Sequence, residues 1–531
     1  MTRAGSRRRL VGLSAGGVLV AVAAIITILI VSSSSATEPP ATGAAKIVPA
    51  DALAYVHVSL DRSRPAVTQG LRLAAGLPNW LAMPDDVVRR LAAMTDVDPD
   101  VFLTSARSWI GREAAIALLG GPGSVADTLI VLAVRHPQAA QRFLTQSSPG
   151  ASGKVRGVSL LSYAGGTYAA LLPGYLVLGQ RASVIAAIDV ASGATPSLAG
   201  SPLYQRAAAS EPAGRVVDAY APAGGLTRLL AARTGALSAL GTLLDTPGLA
   251  ALTMSLSPAT GGADIQVHSV YTGARGQSRP ATFDPTLLSV IPSDVTLLLD
   301  GEDLGRLAPR LLAAGAAAGV GGAVAPLLRH LGSALAAEGV NVAGIVSLFH
   351  RETAVAVISA TSHPALVIVA HTRDAAAARL QLAALEPALE DLFPPATSGP
   401  GGAAVFTQHQ VAGVNIYQLQ LAPGLELDYG VFHQLIVVST SDSAIAALAR
   451  GGAPVTANPT YQSVLGSSSG RIGSLVFLDF SQLIRLGVQT GVAHGASFAQ
   501  LRPDLERIQA IGLRSTGGGN ESTSELYLRI P

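Results

Sequence analysis

Short apolar runs separated by Gly, Pro, Ser and Asp recur along most of the chain, the pattern of strands joined by tight turns. The runs predict strands over 54–60, 114–119, 128–134, 155–163, 168–172, 175–178, 216–221, 252–257 and 264–271. Between them, the amphipathic stretch DDVVRRLAAM from Asp85 predicts part of a helical region. Pro137 opens a second helix, where its missing N–H costs nothing, and Ser183 is placed as the N-cap of a helix running to Ala191. A last helix is predicted over 226–232. Single helices interrupting runs of strands give an α+β fold class with a largely antiparallel sheet and helices packed on it.

The same succession then returns. Pro49-Ala50-Asp51 before one strand recurs as Pro292-Ser293-Asp294 before another, and Arg112-Glu113-Ala114 recurs as Arg351-Glu352-Thr353. Pro202-Leu203-Tyr204-Gln205 recurs as Pro459-Thr460-Tyr461-Gln462, and Gly214-Arg215-Val216 as Gly470-Arg471-Ile472. Order and spacing are kept together, so the reading is two tandem repeats, 46–272 and 285–531, joined by the polar linker 273–284. In this alignment His57 falls near Leu299 and His350 near Gly111, so neither histidine is duplicated.

The amino terminus reads differently. Residues 1–9 form a basic tail containing Arg3, Arg7, Arg8 and Arg9, followed by the uncharged run LVGLSAGGVLVAVAAIITILIV at 10–31. At about 1.5 Å per residue this run matches the ~30 Å hydrocarbon core of a bilayer. It exceeds the usual signal-peptide apolar region, so it is read as a single transmembrane helix with the arginines cytoplasmic and the bulk of the chain extracytoplasmic. Residues 32–45, rich in Ser, Pro, Thr and Gly, then form a linker. A second uncharged stretch, 311–328, is read as a helix of the second repeat, because its counterpart in the first carries Gln69, Arg72, Asn79 and Asp85 and could not span.

Of 531 residues, 49% are hydrophobic and 13% charged, which allows real cores and excludes a disordered chain. The absence of cysteine excludes thiol catalysis, zinc ribbons and iron–sulfur clusters. The formal charge of +2 becomes −2 once the four N-terminal arginines are set aside, and no basic run with interleaved aromatics follows, so no nucleic-acid partner is expected.

Catalytic patterns fail on context. Gly12-Leu13-Ser14-Ala15-Gly16 lies in the anchor, and Gly466-Ser467-Ser468-Ser469-Gly470 runs into a strand, whereas a nucleophile elbow needs a strand before the serine and a helix after it. Gly121-Pro122-Gly123-Ser124-Val125-Ala126 is followed by a strand and reads as a hairpin turn, not a dinucleotide loop. His57, His363, His371 and His409 have no carboxylate at ligand spacing. Asp51 and Asp294 read as turn formers, and the duplicated Arg-Glu pairs as solvated strand ends or cross-strand ion pairs. No catalytic, cofactor-binding or metal residue is therefore assigned, and no cofactor is expected.

PADALAYVHVSLDRSRPA from Pro49, WIGREAAIAL from Trp109 and PLYQ at Pro202, behind an N-terminal anchor, resemble the bacterial proteins grouped as domain of unknown function 3352. The resemblance covers residues 45 to 531 and implies an exported, membrane-tethered protein, with no activity or functional residue to carry over. The expected function is a non-catalytic binding or scaffolding module. Its alternatives are a carrier of a lipid or other apolar ligand, marked by a large cavity lined by Leu, Val and Ile, and a hydrolase whose site residues are distant in sequence. The expected partners are the membrane, through the N-terminal helix, and an envelope protein or a lipid ligand.

Overall fold

The computed structural model describes residues 39–530 apart from 78–82, 96, 121–125, 147–148, 231–247, 274–281, 303–347, 360–363, 393–404, 423–424, 467–469 and 490–495. They fall into two compact units, the first ending at Thr272 and the second beginning at Gly273. The stretch 10–31 and the segment 311–328 both lie outside the described residues. Among those described, no helix is long and apolar enough to cross a membrane.

In the first unit the strands are β1 (Ala54–Ser59), β2 (Ile110–Leu119), β3 (Asp127–Val134), β4 (Gly150–Val155), β5 (Val158–Ser162), β6 (Tyr168–Leu172), β7 (Tyr175–Gly179), β8 (Val217–Pro222), β9 (Leu249–Ala259) and β10 (Gly262–Tyr271). They pair antiparallel throughout, in the order β4-β5-β6-β7-β3-β2-β1-β8-β9-β10. The helices are α1 (Pro65–Ala75), α2 (Met83–Met94), α3 (Pro99–Trp109), α4 (Pro137–Thr145), α5 (Arg181–Ala191), α6 (Pro202–Ala208) and α7 (Ala223–Leu230).

Strand alternation sends side chains to two covered faces. Val56, Val58, Ile116 and Ile130 pack with Val67 of α1, Phe102 and Trp109 of α3 and Phe143 of α4. Tyr55, Ala115, Ala117 and Val131 face Ala44 and Ala45 of a 3-10 turn (Gly43–Lys46), Val184 and Ile188 of α5 and Tyr204 of α6. Trp109, Phe102 and Phe143 form one aromatic knot, with ring centroids 5.4 Å (Phe102–Phe143) and 5.2 Å (Trp109–Phe143) apart. That knot fixes α3 and α4 over the sheet.

The second unit contains β11 (Val295–Glu302), β12 (Glu352–Ile358), β13 (Ala365–His371), β14 (Thr407–Val411), β15 (Val414–Ala422), β16 (Leu425–Phe432), β17 (Leu435–Ser439), β18 (Ser474–Asp479), β19 (Ala510–Gly518) and β20 (Glu521–Arg529). Their order, β14-β15-β16-β17-β13-β12-β11-β18-β19-β20, is again antiparallel and follows the first unit strand for strand. Helices α8 (Ala375–Ala383) and α9 (Glu386–Leu392) lie on one side, with Ala378, Leu382 and Leu385 against Tyr429, Val431 and Ile436. On the other, Ile445 and Leu448 of α10 (Asp442–Arg450) and Tyr461 of α11 (Pro459–Leu465) cover Leu298, Ala354 and Val437. The chain continues through α12 (Phe480–Gln489) and α13 (Ala496–Leu505). Phe283, which falls in the sequence-predicted linker, is buried in this core and bridges to Ile472.

The mixed α+β class and the antiparallel sheet are as expected. Three local readings change. The strand predicted over 155–163 is β5 and begins too early, and β4 before it was not predicted: Arg156 (φ 46°) and Gly157 (φ 83°) both take the left-handed conformation of a two-residue hairpin turn that joins the two. Ser183 does not cap α5: Gln180 does, without a side-chain cap bond, while its Oε1 accepts the Thr128 N–H at 2.7 Å. The helical region predicted between the first two strands divides into α1, α2 and α3, the last opening with a full signal, Asp98 accepting the N–H groups of Asp100 and Val101 and Pro99 at the first position.

Candidate functional site

On β1 the face carrying Tyr55 also carries His57 and Ser59. His57 stands opposite Ala115 of β2 and Asp218 of β8. It is 0% exposed, with Nδ1 2.9 Å from Asp218 Oδ1 and Nε2 3.3 Å from Glu113 Oε2. Arg215 extends the line, its Nε 3.1 Å from both Asp218 Oδ1 and Glu211 Oε2. Glu113 also accepts the Tyr175 hydroxyl at 2.8 Å and the Ala44 N–H at 3.2 Å, which pins the 3-10 turn to the sheet.

The electrostatics follow from this order. Burial alone would lower the His57 pKa, but the charge of Asp218, with contacts to Asp218 and Glu113, outweighs it and raises the group to about 9. Burial works to raise Glu113 and Asp218 as well. His57 and Tyr175 pull Glu113 below its ordinary value, and His57 and Arg215 do the same for Asp218. Glu211 goes the other way, to about 8, through burial and the Asp218 charge. Arg64 closes the cluster from the β1 side, donating to Ser59 Oγ at 2.9 Å and to the Arg215 carbonyl at 3.0 Å, so cations and carboxylates alternate through it. A closed, compensated chain of this kind ties β1, β2 and β8 together. None of its members lines the cavity described below.

In the second unit Glu352 repeats the clamp. It accepts the Leu287 N–H at 2.7 Å and the Thr286 hydroxyl, with His371 Nε2 3.5 Å away. Pairing with Ala354, the counterpart of Ala115, puts Asp300, not Leu299, at the register position of His57 on the β12 side. The sequence alignment was one residue out there. Asp300 is buried, both its carboxyl oxygens lack a partner, and burial with the Glu352 charge raises it to about 8. Of the two expectations for the duplicated pairs, the glutamates follow the cross-strand one, as buried clamps beside His57 and His371, while Arg112, 77% exposed, reaches solvent and lies 3.7 Å from Asp61.

One open feature of the described residues is a cavity of about 510 Å³ in the first unit. Pro49, Ala50 and Asp51 form one wall, the ends of β2 and β3 (Leu119, Gly120, Asp127) another, and the flank of α5 (Ala182, Ser183, Ala186, Asp189) a third, with Thr195 and Pro196 beyond. The Ala50 N–H donates to Pro196 O at 3.1 Å and the Leu198 N–H to Val48 O at 2.7 Å, so the first and last walls are sewn together. Asp189 is ion-paired with Arg156. Asp51 and Asp127 have no ion-pair partner within reach among the described residues. Ser183 is among the lining residues but only 1% exposed, and its hydroxyl, buried in the wall, has no hydrogen-bond partner.

Among the described residues there is no group of three or more His, Asp or Glu able to hold a metal ion. The sequence singled out Asp51 only as a turn former and missed Asp127 and Asp189; nothing but the assembled sheet brings them to one hollow. His363, Ser468 and the turn 121–125 lie outside the described residues. His409 stands 4.0 Å from Asp442 Oδ2, and His371 beside Glu352, neither lining the cavity.

The family model described as "Protein of unknown function (DUF3352)" matches residues 13–530. The chain belongs to the DUF3352 family. No curated protein matches it. Among solved structures, crystal form I of TP0453 is 14% identical, covering 44% of this chain and 79% of that one at a TM-score of 0.26. Crystal form III of the same protein is 11% identical over 43% and 80%, also at 0.26. At those scores the likeness says nothing about how a DUF3352 chain works.

Proposed function

We propose that this DUF3352 protein is a membrane-tethered, extracytoplasmic binding module without catalytic activity, built by duplication of one α+β unit. The cavity on the α5 flank carries this reading. It has the size usual for small-molecule sites, roughly 300–1,000 Å³, and the strongly shifted groups, His57, Glu211, Asp300 and Asp428, are not among its lining residues. Catalytic acids and bases are normally tuned by the site they serve, so this separation weighs against a hydrolase. The carrier alternative called for walls of Leu, Val and Ile, whereas Leu119 is the one large aliphatic residue among those lining this cavity. Duplication is supported by the matching strand order and by the two glutamate clamps. Anchoring rests on the length and charge flanks of residues 10–31.

The test is native mass spectrometry of the full chain, extracted in detergent from the membranes in which it is expressed. A stoichiometric small molecule on the wild type that is absent from Ala186→Trp, which fills the cavity, is the expected result. A bound molecule retained in Ala186→Trp, with the variant folded by circular dichroism, contradicts the reading.

A further inference from the structure

We infer that the first unit docks on an anionic lipid surface through Arg62, Arg107, Arg112 and Arg135, gathered at the end of the sheet where the chain arrives from its anchor; this rests on the membrane-tethered reading of residues 10–45. The backbone brings the four together. Strands β1 and β2 pair as far as Ser59 and Glu113, and the Leu60 N–H then donates to the Arg112 carbonyl at 2.7 Å, with Arg62 just beyond. Ile110 of β2 stands opposite Val134 of β3, and the Arg135 N–H donates to the Trp109 carbonyl at 2.8 Å, which sets Arg135 beside the last turn of α3. Its guanidinium reaches back to the carbonyls of Arg107 and Ser108. Arg107, Arg112 and Arg135 are exposed, and the carboxylate among them is Asp61, 3.7 Å from Arg112 and already accepting from Ser63.

Positive charge is in excess here. Among the described residues neither Arg62 nor Arg107 has an acidic partner, and Nη2 of Arg62 is buried without a hydrogen bond. Burial and the Arg107 charge both push the Arg62 pKa down, the mark of cations held close without a counter-charge. Guanidinium groups answer phosphate oxygens with paired N–H donors. The second, independent observation is where the chain enters. The Ala44 N–H donates to Glu113, the neighbour of Arg112 in β2, so the first turn of the unit sits at the arginine end. Residues 32–42 lie between the apolar run and Gly43, and at about 3.5 Å each they keep this end within about 40 Å of the bilayer. The far end carries the start of β1, where Ala54 stands opposite Leu118, and the last residue of β10, Tyr271, where the chain leaves the unit. The cavity, lined by Pro49 and Leu119, lies toward that far end, so a unit resting on its arginines keeps the cavity turned away from the lipid.

The test is energy transfer in the full chain, reconstituted in nanodiscs with an acceptor dye on the lipid headgroups and one donor on Gln138→Cys, exposed in the first turn of α4 beside Arg135. Replacing phosphatidylcholine discs by discs with about 30% phosphatidylglycerol should raise transfer at least about twofold, and about 0.5 M NaCl should cancel the rise. A donor on Thr195→Cys, at the far end, should show no rise. The triple variant Arg62→Gln, Arg107→Gln, Arg112→Gln, which spares the carbonyl contacts of Arg135, should lose the rise with its circular dichroism unchanged. Equal transfer on the two lipids overturns the docking in favour of an acidic protein partner, and a rise retained in the triple variant overturns the role of the arginines. Elution with phosphatidylcholine discs at high salt tests the tether itself. A chain that elutes free of them removes the anchor and the docking with it, whereas one that elutes with them but shows no lipid-dependent rise removes the docking alone.

Discussion

His57 is an imidazole that the fold charges. Below the ordinary histidine value of about 6.5 it is protonated folded or unfolded, and its ion pairs contribute in full. As pH rises from there through about 9 the folded protein must hold a proton that the unfolded chain has released, and that contribution is lost. Asp300 has the same sign for a different reason: an acid held at about 8 by burial and Glu352 favours the fold most below its ordinary value near 4, and loses this as pH rises through 8. Unfolding midpoints should therefore fall between pH 6 and 9.5. Asp300→Asn, which removes the buried acid, should flatten that fall in the transition of the second unit and raise its midpoint at pH 9. A midpoint in Asp300→Asn that tracks wild type across the range would show that the carboxyl is not held protonated. His57→Leu leaves buried Glu113 without its cation and Asp218 with Arg215 alone, and should cost about 3–5 kcal/mol, read by urea denaturation at pH 6. The alternation around His57 was legible in the sequence, but its partners, at separations of 56 and 161 residues, were not, because only the β1–β2 and β1–β8 registers bring them together.

At the scale of elements, runs of apolar residues located β1, β3, β6 and β7 to within about a residue or two, since a doubly covered strand must be apolar on both faces. The lone error in strand count is β4: Gly150-Ala151-Ser152-Gly153-Lys154 has no apolar run to mark a strand, and Arg156 at positive φ hid the turn that joins it to β5. The Arg-Glu pairs show the limit of the same reasoning. Alternation sent Arg and Glu to opposite faces as expected, yet which face was closed by the 3-10 turn was invisible. Since Glu352 Oε1 takes the buried Leu287 N–H, Glu352→Ala leaves a donor unsatisfied and should cost about 1–3 kcal/mol, whereas Glu352→Gln keeps an acceptor and should cost distinctly less. Equal losses in thermal unfolding for the two variants would mean that the clamp is not what the glutamate provides.

At the scale of the whole molecule, the repeat was legible because short motifs kept their order, and the two sheets pair in one order. The cavity was not legible, since it is assembled from a turn, two strand ends and a helix flank spread from Pro49 to Pro196. The proposal as a whole requires both units to stand on the outer side of the membrane, where an external ligand meets the cavity. It also requires that 311–328 does not cross back. The chain has no cysteine, so a single introduced thiol reports alone. Ala209 in the first unit and Leu380 in the second are both exposed, the latter at 74%. The most direct measurement is labelling of Ala209→Cys and Leu380→Cys, each in the full chain, with a membrane-impermeant maleimide on intact expressing cells. Both should label before lysis as fully as after it. Labelling of Ala209→Cys alone would place the two units on opposite sides, and labelling of neither before lysis would contradict the extracytoplasmic binding module outright.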